Sequence, residues 1–255
     1  MRELLLADDS QIEAACMFCY REGLGIEIQS FWDTKRIEEF PRLATQHLRF
    51  LGDLSPRAFH GHFADLNGGS HDALIREASR IRLLSGMHWA RELGATRVVF
   101  HGGFVPGTSP PLSWIPRMTA FWHGLLSDAP SGMCFHLENQ LDPSPEILRD
   151  LIDSIADERV SACLDVGHAH CNSTVPVPRW VQVLGARVGH VHLHDNDGTR
   201  DQHRALGSGT LPLGETLAAL DEHAPDAAWV LETSPAGWQA SLDWLKEGGH
   251  LGANR

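Results

Sequence analysis

The sequence predicts an α/β fold: eight parallel strands, each followed by a helix, closing into a single (β/α)8 TIM barrel. Three observations predict it. Short runs rich in Val, Ile, Leu and Phe alternate eight times with stretches of helical period. The 255 residues match the length of about 250 usual for one such barrel. Acidic and imidazole side chains sit at or just past the ends of successive β-like runs. In a parallel barrel all strand C-termini open on one mouth, so groups as far apart as His60 and Glu232 can meet there.

The β-like runs are Glu3–Ala7, Gly25–Gln29, Ala58–Phe63, Arg97–His101, Met133–Glu138, Val160–Asp165, Val188–His194 and Ala228–Glu232. Helices are predicted over Gln11–Glu22, Lys35–Gly52, Ser70–Leu93, Ile115–Leu126, Pro145–Ala156, Val177–Leu184, Leu213–His223 and Ser241–Lys246. Eight repeats favour a closed barrel over an open doubly wound sheet, and no G-x-G-x-x-G follows the first run. The clusters Gly68-Gly69-Ser70 and Gly207-Ser208-Gly209 lack the Lys-Ser/Thr ending of a phosphate-binding P-loop. Pro and Gly are scattered rather than gathered into a linker, so one domain over 1–255 is expected.

A formal charge of −12 disfavours a surface built for nucleic acid or anionic membrane. Five cysteines at irregular spacing, with Cys16 and Cys19 lacking a second CxxC, read as reduced and mostly buried thiols. The start MRELLLADDSQ lacks the longer apolar core of a signal peptide, and no run of about 18 apolar residues occurs, so a soluble cytoplasmic protein is expected.

Chemistry concentrates at the predicted strand ends. In VGHVHLH, His190, His192 and His194 share one face of the strand, and only those nearest its end can reach the mouth. His190, His136 and His62 read equally well as satisfied core histidines. CFHLEN and WVLET each end an apolar strand on a glutamate, Glu138 and Glu232. A buried carboxylate costs several kcal/mol unless partnered, and a divalent cation is an efficient partner. CLDVGHAH adds Asp165 and, one turn on, His168. Alone, Asp165 reads equally as a helix cap; beside two strand-end glutamates the metal reading prevails. The following loop carries the pair Asp201-x-His203, a weak metal signal by itself. Mixed imidazole and carboxylate donors suit Zn, Mn, Fe or Co. Glu27 and Trp114 are candidates for the mouth lining, and Arg204, with Arg117, for holding a substrate phosphate.

The segments HGHF, VVFHGG, HLEN, LDVGH, HVHLHDNDG, DQHRALGSG and LETSP together resemble the strand-end motifs of the xylose-isomerase-like TIM-barrel superfamily from about Leu24 to Pro235. That superfamily holds sugar isomerases and epimerases together with the apurinic endonuclease family 2. The resemblance implies a metal centre of Glu138, Asp165, His192 and Glu232. In an epimerase, Glu138 and Glu232 flank the substrate, one removing a proton alpha to a carbonyl and the other returning it, while His168 holds substrate oxygens. In an endonuclease, His60 and His101 with Glu138 hold a second ion, and His168, Asp201 and His203 a third. All nine ligand positions are filled, so one to three ions are expected.

The chain departs from the nuclease pattern after its first histidine. His60 is followed by Gly61-His62-Phe63-Ala64, which keeps one aromatic but loses the other residue that wedges into DNA. A metal-dependent isomerase or epimerase of a small sugar or sugar phosphate is therefore the leading expectation. Apurinic-site phosphodiesterase, dehydratase or lyase, and a non-catalytic sugar-binding barrel are the alternatives, and a homodimer is expected by analogy.

Overall fold

A computed structural model describes residues 2–251. Its eight strands are β1 (Leu4–Ala7), β2 (Gly25–Ile28), β3 (Arg57–His60), β4 (Arg97–His101), β5 (Cys134–Glu138), β6 (Val160–Asp165), β7 (Val188–Leu193) and β8 (Ala228–Leu231). Each pairs in parallel with the next, and β8 returns to β1 with Val230 opposite Leu5, closing the (β/α)8 TIM barrel. Residues 1 and 252–255 of the expected domain lie outside the described residues.

The helices are α1 (Ile12–Glu22), α2 (Phe40–Leu51), α3 (Ala73–Glu92), α4 (Pro111–Asp128), α5 (Pro145–Ile155), α6 (Val166–Asn172), α7 (Val177–Leu184), α8 (Leu213–His223) and α9 (Trp238–Glu247). Three differ from expectation for local reasons. The predicted helix over 35–52 splits into a 3-10 turn, Thr34–Glu39, capped by the Asp33 carboxylate, followed by α2. Helix α4 starts at Pro111 rather than Ile115, because a proline in the first turn is preset for helix and sacrifices no hydrogen bond. Helix α6 is an extra element between β6 and α7; Asp165 starts it by accepting the His168 backbone N–H at 2.7 Å.

Alternation along the strands sorts side chains into two layers. Outward residues such as Leu6, Ile26, Phe59, Phe100, Leu137 and Trp229 pack with the helices into the main core. Inward residues of β1, β3 and β8, namely Leu5, Ala7, Ala58, Ala228 and Val230, form a separate small apolar cluster. The rest of the barrel interior is mostly polar: Glu27, His136, Glu138, Asp165, His190 and His192 are all buried, with Val99 and Cys163 among them. An apolar half-plug therefore faces a polar half, and the polar half carries the site.

Gly61 ends β3 and lets the chain turn against the core. Its amide donates to the Val99 carbonyl at 2.8 Å, and a Cβ there would lie 2.0 Å from the Phe100 ring. Gly61→Ala is expected to cost about 1–3 kcal/mol through overpacking. In thermal unfolding that should lower Tm by roughly 2–10 °C; an unchanged Tm would contradict the close approach.

Candidate metal centre

All nine ligand candidates converge at the C-terminal mouth. His60, His101, Glu138 and Asp165 end β3, β4, β5 and β6; His192 lies on β7; Glu232 follows β8; His168 sits on α6; Asp201 and His203 lie in the loop after β7. The tetrad Glu138, Asp165, His192 and Glu232 offers four ligand atoms within 4.8 Å of one another, and the atoms of His60, His101 and Glu138 meet the same limit.

The donor set tests whether a cation fits. His192 Nδ1 lies 3.0 Å from Glu232 Oε2, 3.2 Å from Glu138 Oε1 and 3.8 Å from Asp165 Oδ2. One ring nitrogen carries a single proton or a single lone pair, so it can serve one of these oxygens at most. Glu232 Oε2 is buried and has no aligned hydrogen-bond donor despite its short distance to the ring. Three buried carboxylates around one imidazole call for a positive charge that no described Lys or Arg side chain supplies. A divalent ion fits.

The two oxygens of Glu138 face different partners. Oε2 lies 3.0 Å from His60 Nε2 and 3.4 Å from His101 Nε2; Oε1 lies 3.2 Å from His192 Nδ1 and 3.3 Å from His168 Nδ1. Each oxygen could therefore serve a different donor group if ions were bound. Burial pushes the Glu138 carboxyl up, but the imidazoles of His101 and His192 outweigh it and hold it well below the usual range. Burial opposes ionisation of Asp165 as well, and His168 and His194 overcome it. His203 is lowered by burial, but Asp201, Glu232 and Asp165 together raise it to about 10.

In the third group Asp201 Oδ2 lies 2.8 Å from His203 Nε2 and 3.4 Å from His168 Nε2, and His194 joins it. His194, Asp201 and His203 come together within 4.8 Å, and His168 Nδ1 also faces the Asn139 carbonyl at 3.0 Å. His194, which the sequence places on the same face as His192 but which the resemblance assigns no ligand role, is a further candidate ligand. Its ring contacts Asp165 Oδ1 at 3.0 Å and stacks on His203 at 4.1 Å. Gly167 makes room for it, since a Cβ there would lie 1.9 Å from His194 Cε1.

Above the ligands opens a cavity of about 390 Å3, walled by Trp32 and Phe63 on one side and by Asp9, Ser10, Gln140 and Ser234 elsewhere. Trp32 and Phe63 stack at 5.4 Å, and Phe63 stacks in turn on His101 at 4.4 Å. No Lys or Arg is among its described lining residues.

Three expected substrate contacts are corrected. Trp114 is in helix α4 rather than a loop, buried against Phe104 and beside Gly69, because its indole completes the core beneath the β4–α4 loop. Arg204 does not line the cavity; its guanidinium is held by Asp197 at 2.9 Å, and its backbone pairs with Asp195. Glu27 is fully buried below the tetrad, not at the mouth, because it is level with Ala58, one inward layer below His60, and Gln29 takes the cavity layer above it. Arg117 likewise spends its guanidinium on the carbonyls of Gly69 and Ser113. Of the cysteines, Cys16, Cys19 and Cys163 are buried, Cys171 is partly so and Cys134 is exposed.

A family model described as xylose isomerase-like TIM barrel matches residues 21–248, and the chain belongs to that family. Among curated relatives, the uncharacterized protein MJ1311 of Methanocaldococcus jannaschii is 26% identical over 74% of this chain and 70% of its own length. The protein named "Probable endonuclease 4" of Mycobacterium leprae is 26% identical over 71% and 75%. Among solved structures, the TTHB071 protein of Thermus thermophilus, soaked with ZnCl2, is 30% identical with a TM-score of 0.76, covering 99% of this chain and 100% of its own. A D-tagatose 3-epimerase-like protein is 21% identical with a TM-score of 0.78 over 98% of both chains, a likeness of fold. No described helix is long and apolar enough to cross a membrane.

Asp142, in the loop after β5, accepts the Gln140 amide at 3.0 Å, and burial pushes its carboxyl up to about 7. A carboxyl raised from 3.8 to about 7 keeps its proton in the folded state at mildly acidic pH, so its contribution to stability is lost as pH climbs from about 4 to about 7. Asp142→Asn should therefore raise Tm at pH 8 and leave it nearly unchanged at pH 4, the gain being at most about 4 kcal/mol. Equal shifts at both pH values would show that the carboxyl is not raised.

Proposed function

We propose that the chain is a divalent-metal-dependent enzyme that isomerises or epimerises a small sugar or polyol-derived ketone by proton transfer between carboxylates. The observation that carries this reading is a sugar-sized cavity whose floor sets Glu138 and Glu232 about one imidazole and whose described wall holds no Lys or Arg. Phosphate sites are built from such cations or from glycine-rich helix starts, so the wall favours the unphosphorylated members of the expected substrate class.

Glu232 is oriented for the first proton transfer. Gln29 Nε2 holds its Oε1 at 2.7 Å, while its Oε2 is free of hydrogen-bond donors and keeps a lone pair for a substrate C–H. Glu138, whose oxygens are each flanked by imidazoles, takes up a proton from one of them and delivers it to the opposite face of an enediolate, while Glu232 keeps the proton it removed. His168, Gln140 and Ser234 reach substrate hydroxyls, and the Trp32–Phe63 pair presents an apolar wall to the carbon skeleton. A bound Zn, Mn, Fe or Co ion supplies Lewis-acid polarisation of the carbonyl.

A second reading, metal-assisted hydrolysis of a phosphate ester, draws on the position of Glu138 between two donor groups and the further group at His194, Asp201 and His203. The relatives named endonuclease 4 point the same way. Against nucleic acid as its substrate stand the acidic chain and the absence of cations from the described cavity wall.

Purified protein should exchange deuterium from solvent into the carbon alpha to the carbonyl of a free ketose, and Glu232→Gln should slow that exchange by about 100-fold or more. Exchange that survives the substitution refutes the assigned base. Two or three ions per chain by elemental analysis, with no exchange on a ketose panel and release of phosphate from an ester, would establish the second reading in its place.

A further inference from the structure

Strand β2 supplies no member of the tetrad, yet its inward Glu27, and Gln29 just past its end, reach two of the four. Glu27 is fully buried at the barrel centre. Its Oε2 takes His190 Nε2 at 2.7 Å, and its Oε1 lies 3.0 Å from His192 Nε2 and 3.1 Å from Gln29 Nε2. The same Gln29 nitrogen donates to Glu232 Oε1 at 2.7 Å. A primary amide carries two hydrogens on that nitrogen, one for each carboxylate.

We propose that Glu27 and Gln29 are positioning residues of the metal centre: Glu27 holds His192 in the tautomer that offers Nδ1 to the ion, and Gln29 links that support to Glu232. The inference rests on the metal-centre reading of the tetrad and holds for either reaction.

A neutral imidazole has one N–H and one lone pair. If the proton sat on Nδ1, that nitrogen would donate to the surrounding carboxylates and have nothing to give a cation. Glu27 Oε1 is an acceptor beside Nε2, close but off the donor axis, and it draws the proton to the far side of the ring. His190 occupies the other oxygen, so the carboxylate cannot swing away without losing a 2.7 Å contact. Carboxylates behind ligating histidines act in this way, orienting the ring and raising its basicity. A leucine would fill a similar volume at that depth without any need for partners; the acid stands where it meets the back of a ligand.

Glu27, His190 and His192 also form a compact donor group by themselves. The test therefore separates a ligand from a support. In the full chain, Zn affinity is measured by competition with a chromogenic chelator, with His192→Ala as the reference for loss of the tetrad site. Glu27→Gln should weaken Zn binding by about 10–100-fold at unchanged stoichiometry, and Gln29→Leu by less, with the melting of the metal-free proteins little altered. Affinity equal to that of the unsubstituted chain overturns the inference. So does a fall in metal-free stability with affinity unchanged, which marks a purely structural role, and so does loss of one whole ion with the remaining sites unaffected, which makes Glu27 a ligand. Nitrogen-15 spectra of the unsubstituted Zn-loaded chain need no variant: a proton on His192 Nε2 supports the proposal, and one on Nδ1 refutes it. If unsubstituted protein binds no Zn, the metal centre itself fails and the inference with it.

Discussion

Three carboxylates taken out of water and gathered around one imidazole nitrogen are the constraint on which this barrel depends. Glu138, Asp165 and Glu232 are buried, and each is ionised against the pull of desolvation because imidazoles surround it. Like charges that close repel strongly in a poorly polarisable interior. Positive charge must be brought to them, and the chain brings histidines and room for a cation. The polar half of the barrel interior follows from that requirement: His60, His101, His168 and His194 each touch one of these carboxylates, and Glu27 and Gln29 support the arrangement from below.

The apolar half follows from the same constraint. An interior polar throughout would lack the packing that fixes strand register, so Leu5, Ala7, Ala58, Ala228 and Val230 fill the side away from the ligands. Small side chains there leave the mouth open above β1 and β8, where Ala7, Thr233 and Ser234 line the cavity. Rigid strand ends carry most of the ligands, and loops carry Asp201 and His203, whose ring nitrogen Nδ1 is tied to the Glu232 carbonyl at 2.8 Å. The rim group is thereby locked to the tetrad by the backbone as well as by charge.

Most of this is legible in the sequence because it depends on period and position. Alternating segments disclose a barrel, and a carboxylate at the end of an apolar strand discloses a buried charge that needs a partner. Depth and loop path are not legible. Glu27 reads as a mouth residue because it lies near the end of its strand, but the next inward side chain, Gln29, takes the cavity layer and leaves Glu27 beneath it. Trp114 reads as loop because the proline that starts its helix also resembles a loop residue. Arg204 suggests a phosphate because nothing in a linear reading pairs it with Asp197 across the turn. A ligand role for His194 is not legible because the strand ends at Leu193, and the contribution of a residue just past a strand depends on how the next loop folds.

The walls, rather than the ligands, separate the two chemistries. The same carboxylates could deprotonate a ketone polarised by a bound ion or position ions for attack on phosphorus, and Glu138 lies between two donor groups. A phosphate ester brings its own negative charge into a cavity that already holds Glu138, Glu232, Asp201 and Asp9. With no cationic side chain in the described lining, ions and the imidazoles would have to balance all of it. A neutral sugar imposes no such demand: its hydroxyls meet Ser10, Gln140 and Ser234, its carbon face meets Trp32 and Phe63, and its carbonyl needs a single ion. Charge balance therefore favours proton transfer on an uncharged ketose over phosphoryl chemistry, even with every ligand position for the latter filled.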